Sequence, residues 1–251
     1  MKEQFVEVEG LKSFLVTNSQ DLAVIVVHEI WGLNENIMDI SRRIGNEGYT
    51  ALAPHLYTKY DFLTPENIQE VMFKVWSIPP EKRTDPNAYL QLQLDEKGKK
   101  IVDLLVTNRE KLENEMIEGL IKSYDYLVKQ GYKKVVGMGF CMGGGLAFQL
   151  ATEVPLDGVI VFYGRNPKPI DAVSKIKGPI LGLYAGEDPP IISGLPELIS
   201  AVIKYKKDIE IKIYPNAYHA FFNDRGKTYN KEAAEDAWER VKYFLKRVMR
   251  K

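Results

Sequence analysis

The chain is expected to fold as an α/β protein: a mostly parallel, doubly wound sheet flanked by helices. Three observations carry that expectation. Leu22-Ala23-Val24-Ile25-Val26-Val27 is a continuous apolar run, which suits a strand buried on both faces of a parallel sheet. Comparable runs begin at Val135, Asp157 and Pro179, and segments of helical spacing stand between them. At 251 residues and 45% hydrophobic content the chain has enough apolar material for one large core, so residues 1–251 are read as a single domain.

Taken in order, Phe5 to Val8 and Lys12 to Val16 flank Glu9-Gly10 and read as an opening β-hairpin. The first buried strand ends in His28-Glu29-Ile30-Trp31-Gly32-Leu33-Asn34, and Ile37, Ile40 and Ile44 then mark a helix that stops near Gly48. Tyr49 to Ala53 is a strand closed by Pro54. From about 57 to 115 the pattern is a helical insertion before the central glycine-rich strand. Thr64-Pro65-Glu66 supplies a cap with proline at the first helical position, and Ser77-Ile78-Pro79-Pro80 ends that helix. Ile117, Leu120, Ile121, Tyr124 and Leu127 continue at helical spacing to Gly131. The excursion is long for a single crossover, so part of it is expected to cap the sheet edge that carries the site.

Beyond Glu153, Asp157 to Tyr163 and Pro179 to Ala185 are strands, Leu198, Ile199, Val202 and Ile203 mark a helix, and Ile209 to Tyr214 alternates like an edge strand. Pro215 to Phe222 is expected as a loop. Ala233 to Met249 closes the chain as an amphipathic helix with Trp238, Val241, Phe244 and Leu245 inward.

Chemistry concentrates at Gly139-Phe140-Cys141-Met142-Gly143, where a strand turns at once into a helix. This is the layout of a nucleophile elbow, G-x-S-x-G, with cysteine in the serine position. Two glycines let strand and helix approach, and the thiol then stands over a helix N-terminus whose dipole favours negative charge. Read alone, the stretch also fits a phosphate-binding turn or a buried inert cysteine.

Asp188, in Gly186-Glu187-Asp188-Pro189, and His219, in Tyr218-His219-Ala220, follow at later strand ends. Nucleophile, acid, base is the chain order of the α/β-hydrolase fold. An imidazole can take the thiol proton and return it to a leaving group, while a carboxylate holds the ring in one tautomer. The backbone N–H groups of Ile30 and Met142 are the expected oxyanion donors by position.

Bulk composition narrows the class further. Lys plus Arg equals Asp plus Glu at 34 each, so no global field points to nucleic acid or an anionic membrane. Met1-Lys2-Glu3-Gln4 opens straight into a strand-like segment and no run of about 18 apolar residues occurs, so a cytoplasmic location is expected. A single cysteine excludes an internal disulfide, and three histidines without C-x-x-C spacing suggest no zinc site.

The segments His28 to Asn34, Gly137 to Gly144, Gly186 to Pro189 and Tyr218 to Phe221, with Phe222-Asn223-Asp224 and Ala233-Ala234-Glu235-Asp236-Ala237-Trp238, resemble the dienelactone hydrolase (carboxymethylenebutenolidase) family. The resemblance covers nearly the whole chain and is weakest across 57–115. It implies a cysteine-dependent hydrolase of a small ester or lactone that needs no cofactor. Cys141 would be the nucleophile and Asp188 and His219 its partners. Glu29 matches the family's extra carboxylate, which helps to activate the thiol; burial would raise its pKa and let it accept a proton.

Trp31, Trp76 and Tyr163 are candidate pocket residues. In the enzyme that names the family two arginines hold a substrate carboxylate; the matching positions here are Gln69 and Asn223, with Arg225 and Arg83 as nearby cations. An amide does not replace a guanidinium fork at equal strength. Hydrolase chemistry therefore carries over, while dienelactone preference and oligomeric state stay open. The alternatives are another acyl substrate, a thioester or peptide, or a silent binding protein of the same fold.

Overall fold

The computed structural model describes residues 1–83 and 85–250. Eight strands form one sheet: β1 (Lys2–Val8), β2 (Leu11–Thr17), β3 (Leu22–Val27), β4 (Thr50–Pro54), β5 (Lys134–Phe140), β6 (Gly158–Phe162), β7 (Ile180–Glu187) and β8 (Ile209–Tyr218). Their order is β1-β2-β4-β3-β5-β6-β7-β8. β1 and β2 make the antiparallel hairpin, β2 joins β4 antiparallel, and every pairing from β4 to β8 is parallel. The opening hairpin and the doubly wound parallel sheet are thus as the sequence pattern implied.

The helices are α1 (Glu35–Asn46), α2 (Pro65–Trp76), α3 (Pro86–Leu90), α4 (Glu96–Val102), α5 (Arg109–Lys129), α6 (Met142–Glu153), α7 (Pro189–Ile192), α8 (Leu195–Lys204) and α9 (Lys231–Arg250). Alternation along β3 separates two cores. Ala23, Ile25 and Val27 face a layer with Leu120 and Leu127 of α5, Phe148 of α6 and Leu198 of α8. Leu22, Val24 and Val26 face Ile37, Ile40 and Ile44 of α1 and Val241, Phe244 and Leu245 of α9. Burial on both faces explains why β3 carries no polar residue. Asn34 Oδ1 caps α1 through the Ile37 amide, and Thr64 Oγ1 caps α2 through the Asn67 amide.

The insertion joins the first of these layers: Leu63, Ile68, Val71, Val75, Ile101, Leu105 and Leu112 lie in the same cluster as β3. Its last turn before α5, Asp103–Thr107, is a π-helix.

One local difference from the sequence reading emerges. Pro215 to Tyr218, expected as loop, extends β8 alongside β7, with a register shift between Ala185 and Glu187 that accommodates the extra length. Proline is tolerated there because β8 is an edge strand. The helix expected through Leu198, Ile199, Val202 and Ile203 is α8, with Leu198 and Val202 buried and Ile199 and Ile203 exposed. α7 begins directly after Asp188.

β3 pairs with β4 on one side and β5 on the other, so chain order reverses between β3 and β5. Such a switch point opens a crevice beyond the carboxyl ends of the strands, and the loops after β3 and β5 meet there.

Candidate active site

The turn after β5 shows why its residues are what they are. Cys141 lies at φ 55°, ψ −119°, a region that costs a non-glycine residue about 1–3 kcal/mol. Main-chain packing imposes it. A Cβ on Gly139 would stand 1.9 Å from Gly143 O, and one on Gly143 would stand 2.3 Å from His28 O. Cys141 N donates to Phe162 O at 3.0 Å, and Gly145 N donates to Cys141 O at 3.2 Å. The side chain has nowhere to go but outward, past the sheet edge.

Two later strand ends reach it. His219 Nε2 lies 2.9 Å from Cys141 Sγ, and His219 Nδ1 lies 2.5 Å from Asp188 Oδ2. Asp188 is buried where β7 passes into α7, while the half-buried imidazole keeps one edge toward the thiol. Burial pulls the imidazole's pKa down, but its bonds to Asp188 and Cys141 outweigh that and carry it up to about 10. Thr228 Oγ1 donates to His219 O and Tyr163 packs its ring 5.1 Å away, so the histidine is held from both sides.

Glu29, only 2% exposed, stands beside this row. Burial pushes its carboxyl up to about 7, against a hydrogen bond from Asn223 and the charge of His219, which pull the other way. Its Oε1 and the Tyr163 hydroxyl are both buried and both short of hydrogen-bond geometry, although each feels the other electrostatically.

The expected substrate-binding residues separate. Asn223 is spent inside the protein: Nδ2 donates to Glu29 Oε2 at 3.0 Å and Oδ1 accepts from Arg225 N at 3.1 Å. Tyr163 is fully buried with φ 38°, against His219 rather than open solvent. Trp31 packs edge-on to Trp76 at 5.7 Å, and Trp76 leaves 42% of its surface exposed. Arg225 and Gln69 are exposed, and Arg83 is turned back onto Ile78 O and Trp76 O.

Three residues not singled out from sequence belong to the surroundings. Tyr57 donates its hydroxyl to Ile30 O at 3.0 Å, 3.7 Å from Met142 Sδ. Arg109 and Arg165 lie within electrostatic reach of one another; Arg165 also feels Cys141, and Arg109 is bonded to Glu113. Arginine spacing along the chain held no signal for this, because the two come from α5 and the loop after β6. Among the described residues no group of three or more His, Cys, Asp or Glu is placed to hold a metal ion.

Residues 11–249 match the family model described as the dienelactone hydrolase family. The chain belongs to that family. A relative from Saccharolobus solfataricus assigned as a carboxymethylenebutenolidase is 71% identical over 253 residues, covering 98% of both chains. A Yersinia pestis protein with the same assignment is 31% identical over 232 residues, 87% of this chain and 75% of that one.

Among solved structures, a Klebsiella pneumoniae protein assigned as a dienelactone hydrolase superposes with a TM-score of 0.74 at 25% identity, over 98% of this chain and 97% of that one. A dienelactone hydrolase from Anabaena variabilis shares the fold with a TM-score of 0.66 at 18% identity, over 98% and 97%. The architecture is therefore the α/β-hydrolase fold, and this dienelactone hydrolase family member is a hydrolase of the carboxylic ester and lactone class.

Proposed function

We propose that the protein hydrolyses a small ester or lactone through an acyl-cysteine intermediate on Cys141. The observation that carries the reading is the unbroken line from Cys141 Sγ through His219 to Asp188, at 2.9 and 2.5 Å. In the first half-reaction the thiol proton passes to His219 and the sulfur attacks the carbonyl carbon. The carbonyl electrons move onto oxygen, which the N–H groups of Ile30 and Met142 receive. Collapse breaks the C–O bond, the alkoxide takes the proton from His219, and the acyl group stays on sulfur.

In the second half-reaction water gives a proton to His219 and attacks the thioester carbon. The C–S bond breaks, the acid departs, and Cys141 takes its proton back. Glu29 serves as a second proton acceptor near the thiol, a role its pKa of about 7 suits. Residues 1–251 act as one unit in this reading, with 57–115 closing one wall through Trp76 against Trp31. The partner is a small molecule. A cytoplasmic setting suits a reaction that depends on a free thiol; no helix among the described residues is long and apolar enough to cross a membrane.

The test is turnover of p-nitrophenyl acetate and of a cis-dienelactone by the wild type and by Cys141→Ala. Activity in the wild type that the alanine variant loses, with a thioester trapped on Cys141 at low pH, is the expected result. Equal turnover by both proteins would remove Cys141 from the chemistry.

A further inference from the structure

We propose that His28 and Tyr57 are positioning residues that aim the Ile30 N–H at the oxygen of the tetrahedral intermediate. The proposal rests on the cysteine-hydrolase reading above and adds how the loop after β3 is set for it.

The argument begins with one peptide plane. The carbonyl of Glu29 and the N–H of Ile30 belong to the same planar trans unit and point in opposite directions. Whatever holds that carbonyl therefore also aims that amide. Two donors hold it: His28 Nδ1 at 2.6 Å and Gly32 N at 3.2 Å. The next plane is held as well, because Tyr57 donates its hydroxyl to Ile30 O at 3.0 Å. Both carbonyls are engaged, while the Ile30 N–H has no acceptor among the described residues.

The two side chains that do the holding are themselves fixed. His28 and Tyr57 are fully buried, and their rings meet edge to face at 4.9 Å and 63°. Leu56 N donates to His28 Nε2 at 3.2 Å, so the ring's single proton must sit on Nδ1, where it faces Glu29 O. Burial lowers the His28 pKa to about 4, which keeps that tautomer neutral through the neutral range.

The same block reaches the second donor. Tyr57 OH is 3.7 Å from Met142 Sδ, and the first turn of α6 lies so close to the end of β3 that a Cβ on Gly143 would meet both His28 O and Val27 O. Ile30 and Met142 are thus referred to one rigid origin. An apolar pair of the same volume would fill this space but would leave Ile30 O and Leu56 N without their side-chain partners. Direction is what the polar pair adds.

The test compares Tyr57→Phe, His28→Asn and His28→Leu with the wild type. Three readouts are taken: kcat and KM on p-nitrophenyl acetate, the affinity of trifluoroacetophenone, and the rate of Cys141 alkylation by iodoacetamide. The ketone adds to the thiol and places an oxyanion where the intermediate has one. Loss of a whole oxyanion donor costs about 10²- to 10³-fold, so mis-aiming one should cost about tenfold in kcat for Tyr57→Phe and about a hundredfold for His28→Leu.

KM should stay within about threefold, ketone affinity should fall in step with kcat, and alkylation should be unchanged within about twofold. His28→Asn keeps an N–H near the Nδ1 position and should recover about tenfold of the loss. If His28→Leu does not fold, the other two variants decide the matter. Unchanged kcat in them, or kcat and alkylation falling together, overturns the proposal. Failure of the cysteine reading shows differently, as a wild type whose turnover survives Cys141→Ala.

Discussion

Asn223 donates its side-chain amide to Glu29 Oε2 at 3.0 Å, joining two loops 194 positions apart in sequence. The contact leaves Glu29 with one bonded oxygen and one without a hydrogen bond; burial, against the pull of the Asn223 bond, raises its pKa to about 7. An arginine at 223 would put a full cation there instead of an amide.

Asn223→Arg should accordingly pull the Glu29 pKa downward and supply a guanidinium to a substrate carboxylate. The expected outcome is a rise of about tenfold in the ratio of kcat/KM for cis-dienelactone over p-nitrophenyl acetate, consistent with the roughly 1.4 kcal/mol that one charged contact supplies. Steady-state kinetics on both substrates check it, and an unchanged ratio would show that position 223 does not see the substrate.

Glu29→Gln should stabilise the protein in a pH-dependent way. A carboxyl whose folded pKa lies above its unfolded value costs stability as pH rises: nothing below about 4.5, the full amount above about 7. That interval corresponds to about 3 kcal/mol as an upper figure. Denaturant melts of both proteins should coincide at pH 4 and separate by up to that amount at pH 8, with the variant ahead. The wild-type rate should also rise through an inflection near pH 7 that the variant lacks. A constant stability difference across the range would argue against a buried, late-titrating Glu29.

Gly139→Ala should be costly and Gly145→Ala harmless, though both lie at the elbow. The first Cβ meets main-chain atoms of Gly143 at 1.9 and 2.4 Å, while the second finds nothing nearer than Arg165 N at 3.4 Å. Overpacking against backbone should cost Gly139→Ala about 3 kcal/mol, or roughly 6–12 °C in Tm for a chain of this size. Gly145→Ala gains helix propensity and should move stability by less than about 1 kcal/mol. Calorimetry on the two variants makes the comparison.

Asp188→Asn should lower kcat by roughly 10³-fold or more, because an amide no longer enforces the imidazole tautomer that faces the thiol. It also removes a negative charge from His219, whose pKa should drop from about 10. NMR titration of the His219 ring would read that drop directly, and an unmoved resonance would mean that Asp188 is not its electrostatic partner.

How much of this was legible beforehand follows from what each feature depends on. β3 could be read because burial on both faces leaves an unbroken apolar run, and the elbow because its glycines are demanded by contacts a few residues away. Family membership was equally readable, since the motifs sit at strand ends in fixed order. The partners of Asn223 were not: an amide in a loop looks the same whether it faces substrate or Glu29, and only the fold brings the two loops together. The part His28 plays was not legible, because nothing in its sequence position reveals that its Nδ1 turns back onto the next residue's carbonyl. Pro215 looked like the start of a loop; its place on an edge strand, where a missing N–H does no harm, depends on strand order.

The turn that carries Cys141 is clamped by main-chain atoms of Gly139, Gly143, His28 and Phe162 rather than by side chains. Main-chain atoms are common to all residue types, so the clamp does not register which side chain it presents. A hydroxyl set at position 141 would start from the same point and meet the same imidazole. Sulfur or oxygen is therefore a choice of a single atom on an indifferent mount, and the scaffold can exchange one reactivity for the other without being rebuilt.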